Sequence, residues 1–167
     1  MTRRSRAREV ALQLLFQRDH NPIVDRPTIE RFVHDRLRES SLEPFCLSLY
    51  DGVVAHLADI DQRLAAAAEN WRLPRMPTVD RNVLRLGTYE LLFSPDTPAA
   101  VALDEAIELA RRYGTADSPA FVNGVLDKLR QATVAPSVPL AGEEQASGPD
   151  KAAEPAALPQ PSSLATE

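Results

Sequence analysis

The chain has 167 residues, 44% of them hydrophobic, and a formal charge of −5. That is enough apolar material for one domain or two small subdomains, which excludes a wholly disordered chain. Cys46 is the single cysteine, so there is no disulfide framework, and no apolar run is long enough to cross a bilayer.

The N-terminal segment, residues 5–19, places Ala7, Val10, Ala11, Leu14 and Leu15 at helical spacing, with Ser5 as the expected cap. Asn21-Pro22 ends it. Pro27-Thr28 opens a second helix, with Ile29, Phe32, Val33 and Leu37 on one face. Ser41 and Pro44 signal a third start. An apolar stripe then runs from Phe45 through Val53, Leu57 and Leu64 to about residue 69, and Cys46 within it reads as a buried, inert thiol. Asp59 caps a fresh start inside that stripe, so it reads as two helices with a bend near 58.

Residues 71–77 (Trp-Arg-Leu-Pro-Arg-Met-Pro) form a loop, because two prolines in four residues break a helix. Thr78 then caps a helix over 79–94 that is apolar on a wide arc and therefore reads as central and buried. After the break at Ser94–Pro98, residues 101–113 form the next helix, closed by Gly114. In the last helix Ser118 caps, Pro119 takes the first position, and Val122, Val125, Leu126 and Leu129 pack.

The expected fold is thus all-α, with seven helices and no strand, over residues 1–135. The last 32 residues, 136–167, carry six prolines, five acids and one lysine, and read as a disordered tail. Without them, 18 basic and 19 acidic residues remain, so the folded part is nearly neutral with a basic N-terminus. The arginine-rich start also fits a transit peptide, but Glu9 and a helix that runs straight into core-like positions argue against removal. The expected location is the cytoplasm.

Catalytic patterns are missing. His20, His34 and His56 share no metal-ligand spacing, and no HExxH, GxSxG, P-loop or GxGxxG occurs. Asp104 and Glu105 are adjacent near a helix start, where acids suit the dipole, and they point about 100° apart. No catalytic residue, metal or cofactor is expected. The chain reads as a binding protein.

Two stretches break ordinary rules. Arg3, Arg4, Arg6 and Arg8 crowd a helix N-terminus, where a cation costs about 0.3–1 kcal/mol each. They read either as a solvated end or as a basic arm that orders on single-stranded RNA, since guanidinium groups fork onto phosphate oxygens. The second stretch is Asp117-Ser118-Pro119-Ala120-Phe121-Val122-Asn123-Gly124. Gly124 inside a helix costs about 1 kcal/mol relative to alanine, which a close helix crossing would justify. Phe121 reads as core or as a platform on which a base stacks, and Asn123 as a base reader or a solvated amide.

Four segments together, RRSRAREVALQLLFQ, VDRNVLRLGTYELLF, VALDEAIELARRYG and DSPAFVNGVLDKL, resemble the NusB family of bacterial transcription antitermination factors, over residues 3 to about 133. The resemblance implies two small helical bundles. It implies pairing with NusE, a small-subunit ribosomal protein, and binding of boxA RNA from ribosomal RNA leaders. The pair then joins RNA polymerase with other Nus factors. It also implies site residues. Arg3, Arg4, Arg6 and Arg8 match the basic arm, and Asp117, Ser118 and Phe121 match the RNA-lining segment. Phe16 matches an aromatic at the junction of RNA and NusE, and Asp80 and Arg81 match the NusE-facing region, although Asp80 reads equally as a helix-start acid. Tyr89, Glu90, Glu105 and Asn123 match positions that serve the fold. Some relatives form homodimers, and this sequence does not choose.

Two other functions compete. A NusB-like module precedes the catalytic domain of some ribosomal RNA cytosine methyltransferases, but here only 32 residues follow and they hold no pattern for a methyl donor. A helical adaptor for protein alone is disfavoured by the bare arginine cluster.

Overall fold

The computed structural model describes residues 2–68 and 72–134. Trp71 and the expected tail over 136–167 lie outside the described residues. Seven α-helices and no strand occur among those described: α1 Arg3–His20, α2 Arg26–Leu37, α3 Glu43–Ala55, α4 Leu57–Ala67, α5 Thr78–Phe93, α6 Ala99–Tyr113 and α7 Ser118–Val134. A single 3₁₀ turn, Leu73–Arg75, leads into α5. None of these helices is long and apolar enough to cross a membrane.

Local chemistry sets the boundaries, in places one to three residues from the sequence expectation. Helix α1 starts at Arg3 because the Thr2 side chain, and not Ser5, accepts the Ser5 N–H at 3.1 Å. Pro27 sits in the first turn of α2, whose end is turned by Arg38 in the left-handed region (φ 52°). The bend between α3 and α4 falls at His56, and Asp59 lies inside the first turn of α4, where it accepts from Arg63 at 2.8 Å. The Asp117 carbonyl accepts the Phe121 N–H at 3.1 Å, so α7 begins one residue before the expected cap is complete.

Helix α5 is the axis. Every residue from Asn82 to Thr88 is buried, because α1, α3, α4, α6 and α7 all pack on it. Helices α1, α2 and α3 pack on one another at one side of α5, and α6 and α7 at another. A helix surrounded this way cannot send its polar residues to water, so they need partners inside. Asn82 and Arg85 reach Asp19 at 2.9 and 3.1 Å, and Arg85 also forks onto Asp61 with two bonds of 2.8 Å. That network ties the end of α1 and the start of α4 to α5.

The glycines divide by their surroundings. A Cβ on Gly52 would meet the Tyr89 ring at 2.0 Å, so Gly52 lets Tyr89 of α5 lie against α3. Gly87 would meet Leu126 Cδ1 at 2.8 Å and Ala106 Cβ at 3.1 Å, which makes it the close-crossing glycine of α5, α6 and α7. Gly124 has no atom within 4 Å of such a Cβ, so the expected close crossing there is wrong: this position of α7 faces open space. Gly114 ends α6 in an extended conformation (φ −91°), and what requires glycine is proximity, with Ser118 Oγ 2.4 Å from a would-be Cβ.

Alanine at Gly124 should therefore stabilise the free protein by about 1 kcal/mol through helix propensity alone. Gly52→Ala should destabilise it by roughly 1–3 kcal/mol, because the Tyr89 ring must leave its seat. Thermal melting of the two variants checks both signs.

Candidate nucleic-acid interface

The arginine cluster is helical from Arg3 onward, so it is the first turns of α1 and not a flexible arm. No acid lies in that first turn, and the unfavourable dipole contact is real. Tertiary contacts offset it differently for each residue.

Arg3 is exposed and pairs with Glu39. Arg4 is exposed, and its guanidinium lies 5.1 Å from the centroid of the Phe45 ring, a cation–π contact, with no carboxylate paired to it among the described residues. Arg6 is half-exposed. It pairs with Glu9 and reaches the Arg36 carbonyl of α2 at 3.5 Å. Arg8 corrects the expectation. Its side chain is 3% exposed, Nε and Nη2 donate to the Glu90 carboxylate at 2.8–3.1 Å, and Glu105 lies 3.7 Å from Nη1. A guanidinium forked onto a buried carboxylate has no free edge for a phosphate. Glu90 also accepts from Thr97, and Glu105 accepts from Ser5 at 2.6 Å. Glu105 thus belongs to this buried assembly and does not serve as a helix-start acid.

The other predicted site residues divide in the same way. Asp117 is exposed and Phe121 half-buried against the core, which falls between its two readings. Ser118 is a correction. It is 1% exposed, and its hydroxyl accepts the Thr115 N–H at 2.8 Å, closing the turn between α6 and α7. Asn123, expected to serve the fold, is exposed instead. Phe16 is 40% exposed and lies against His20, the two rings tilted by 33° with centroids 4.7 Å apart. Asp80 fits the second of its two readings, an acid in the first turn of α5: it is 5% exposed, its Oδ1 has no partner among the described residues, and it offers little surface to a protein. Arg81 donates to Asp19 at 2.9 Å and to the Leu73 carbonyl at 3.3 Å, and is mostly buried.

Sequence reasoning missed the end of α6. Tyr113 is 40% exposed, and its hydroxyl bonds Glu9, so the last turn of α6 meets the first turns of α1. Burial and this bond push the Tyr113 hydroxyl up to about 12. Burial opposes charge on Glu9, but bonds from Arg6 and Tyr113 and the charges of Arg6 and Arg112 outweigh it and hold its carboxyl below the usual value. Exposed Arg111 and Arg112 share one carboxylate, Glu108, at 2.5 and 2.8 Å. The signal was present in the sequence as RRY before a glycine, where cations suit a helix C-terminus. The resulting face runs from Arg3, Arg4 and Arg6 past Glu9 and Tyr113 to Phe16.

No group of three His, Cys, Asp or Glu among the described residues is placed to hold a metal, and Cys46 is fully buried, its thiol pushed up to about 12 mainly by burial.

The family model described as NusB family matches residues 5–131. The chain belongs to the NusB family. A transcription antitermination protein NusB from Trichlorobacter lovleyi is 44% identical over 126 residues, covering 75% of this chain and 89% of the relative. The structure of T. maritima NusB superposes with a TM-score of 0.67 at 38% identity, covering 78% of this chain and 92% of that one. A crystal structure of antitermination factors NusB and NusE in complex with dsRNA gives a TM-score of 0.71 at 26% identity, over 79% and 98% of the two chains.

Replacing Arg8 by methionine leaves Glu90 buried without its cation and should cost about 3–5 kcal/mol in urea denaturation. Arg4→Ala, by contrast, should stay within roughly 0.5–1 kcal/mol. The Asp19 carboxyl is also held low: burial opposes its charge, but Arg81, Asn82 and Arg85 win. A depressed carboxylate contributes stability above its unfolded value, near 4, and loses it as pH falls through the folded one. Melting temperature should therefore drop below about pH 4, and Asp19→Asn should flatten that drop while lowering stability at neutral pH.

Proposed function

We propose that this chain acts in transcription antitermination by holding boxA-type leader RNA on the face built from the start of α1, the end of α6 and the start of α7, together with a NusE-type ribosomal protein, and by joining RNA polymerase with other Nus factors in the cytoplasm. The observation that carries the reading is the set of guanidinium groups on exposed Arg3 and Arg4 and half-exposed Arg6, kept in the first turns of α1 against the helix dipole. The relative crystallised with NusE and dsRNA supports the same two partners.

Within this reading the phosphate contacts are Arg3, Arg4 and Arg6, with Arg8 as the buried strut beneath them. Asp117 and Phe121 lie at the start of α7, with half-buried Phe121 offering one side of its ring to a base. Phe16 is the surface aromatic where RNA and ribosomal protein meet. Arg81 shapes the protein-facing end from beneath, and Asp80 contributes there only after some rearrangement exposes it. Homodimerisation through the same face would compete with RNA.

A pull-down with the NusE-type ribosomal protein, with and without a boxA oligoribonucleotide, tests the reading, and failure to bind RNA even in dilute salt would remove it. If three arginines each neutralise one phosphate, the log–log salt slope contains about −2 from them. Arg3, Arg4 and Arg6 changed together to alanine should flatten it by that amount. Phe121→Ala should cost about 1–3 kcal/mol of RNA affinity.

A further inference from the structure

We propose that Ser41, in the turn between α2 and α3, is a serine phosphorylation site, and that the phosphoryl group withdraws Arg3 from RNA. The inference rests on the RNA-binding reading above and adds a means of regulating it.

Ser41 is exposed and stands directly before Leu42, the residue that caps α3. It touches the basic start of α1. Arg3 Nη2 donates to Ser41 Oγ at 3.4 Å, and Arg3 also pairs with Glu39. The Ser41 hydroxyl in turn donates to Glu39 at 3.0 Å. Arg3, Glu39 and Ser41 thus close a triangle at the surface, with the hydroxyl and the carboxylate sharing one cation. Glu43, the acid at the start of α3, is engaged by His34 at 2.9 Å.

The turn suits a kinase. Residues 40–42 lie outside the helices, and the Leu42 N–H closes them onto the Glu39 carbonyl at 3.0 Å. Arg38 ends α2 in the left-handed region, is exposed, and makes no ion pair among the described residues. It stands three residues before Ser41, and Arg36 five before. Cations at such offsets are a charge pattern by which serine kinases choose substrates. In the reaction Ser41 Oγ attacks the γ-phosphorus of ATP. An O–P bond forms at the serine, the bond from that phosphorus to the bridging oxygen breaks, ADP leaves, and the hydroxyl proton passes to the base of the kinase.

Two local fields then favour the product. The new group carries a charge of about −1.5 to −2 and faces a guanidinium already within reach, while the N-terminus of α3 adds its positive dipole end. Glu39 is repelled, so the phosphoryl oxygens replace its carboxylate on Arg3. RNA competes poorly for that cation, because a group on the same chain acts at an effective concentration on the order of millimolar. One of the three proposed phosphate contacts is lost.

The test begins with the full chain, ATP and a serine kinase that selects arginine three residues upstream. Mass spectrometry should place one phosphoryl group on Ser41. Ser41→Ala should accept none, and Ser40→Ala as much as the unaltered chain. Incorporation at Ser40 alone, or none, overturns the site. With the NusE-type ribosomal protein and a boxA oligoribonucleotide, phosphorylation should weaken binding about five- to twentyfold and flatten the salt slope by about 0.7. In the Arg3→Ala chain it should leave the slope unchanged, and an equal flattening there overturns the role of Arg3. Without RNA, phosphorylation should raise the melting temperature, and Arg3→Ala should remove most of that rise; no rise in the unaltered chain also overturns the pairing. If the unmodified pair bound no oligoribonucleotide, the RNA-binding reading would fall and the regulation with it, whereas phosphate mapping and melting would still decide whether Ser41 is modified and paired with Arg3.

Discussion

The ion pair between Arg8 and Glu90 governs how the rest of the molecule is arranged. Both side chains are almost completely buried, and the guanidinium forks onto the carboxylate. Burying either charge alone is strongly unfavourable, so each enforces the position of the other. Arg8 belongs to the second turn of α1 and Glu90 to the last turn of α5, so the pair sets where the N-terminus lies against the central helix. Ser5 and Glu105 extend the lock to α6, and Thr97 extends it to the turn before α6. The basic surface is the outer side of this assembly.

A second polar assembly does the same at the other end of α1. Asp19 receives Arg81, Asn82 and Arg85, and Asp61 of α4 receives Arg85. Between the two assemblies α1 contributes Val10, Ala11, Leu14 and Leu15 to an apolar core. Helix α1 is thus clamped at both ends by charge and held in the middle by packing. Its outward stripe, Arg6 to Phe16, is consequently a rigid rail, and ordering it on binding requires little further loss of conformational entropy.

Rigidity also explains how an electrically modest body could bind a polyanion. The folded part carries nearly balanced charge, so long-range attraction is weak. On the proposed reading, recognition then depends on local geometry: cations held in place by neighbouring carboxylates or a ring, and aromatic rings half sunk in the core. Glu9 illustrates the principle. It neutralises part of the Arg6 charge, yet by holding Arg6 and Tyr113 together it brings the ends of α1 and α6 into one face.

The seven helices, the punctuating prolines, the central place of α5 and the buried inert Cys46 were legible in the sequence, because periodicity and proline act through near neighbours. So was the basic start, down to its conflict with the helix dipole. What the sequence could not determine was which arginine faces water. Arg8 is chemically the same as Arg4, and its burial was decided by Glu90, 82 residues away, and by Glu105 beyond it. Gly124 was misjudged for the same reason: whether such a glycine sits in a crossing depends on which helix packs above it. Local spacing fixes a side chain's face on its own helix, whereas the packing of distant helices decides whether that face meets solvent, core or an opposite charge.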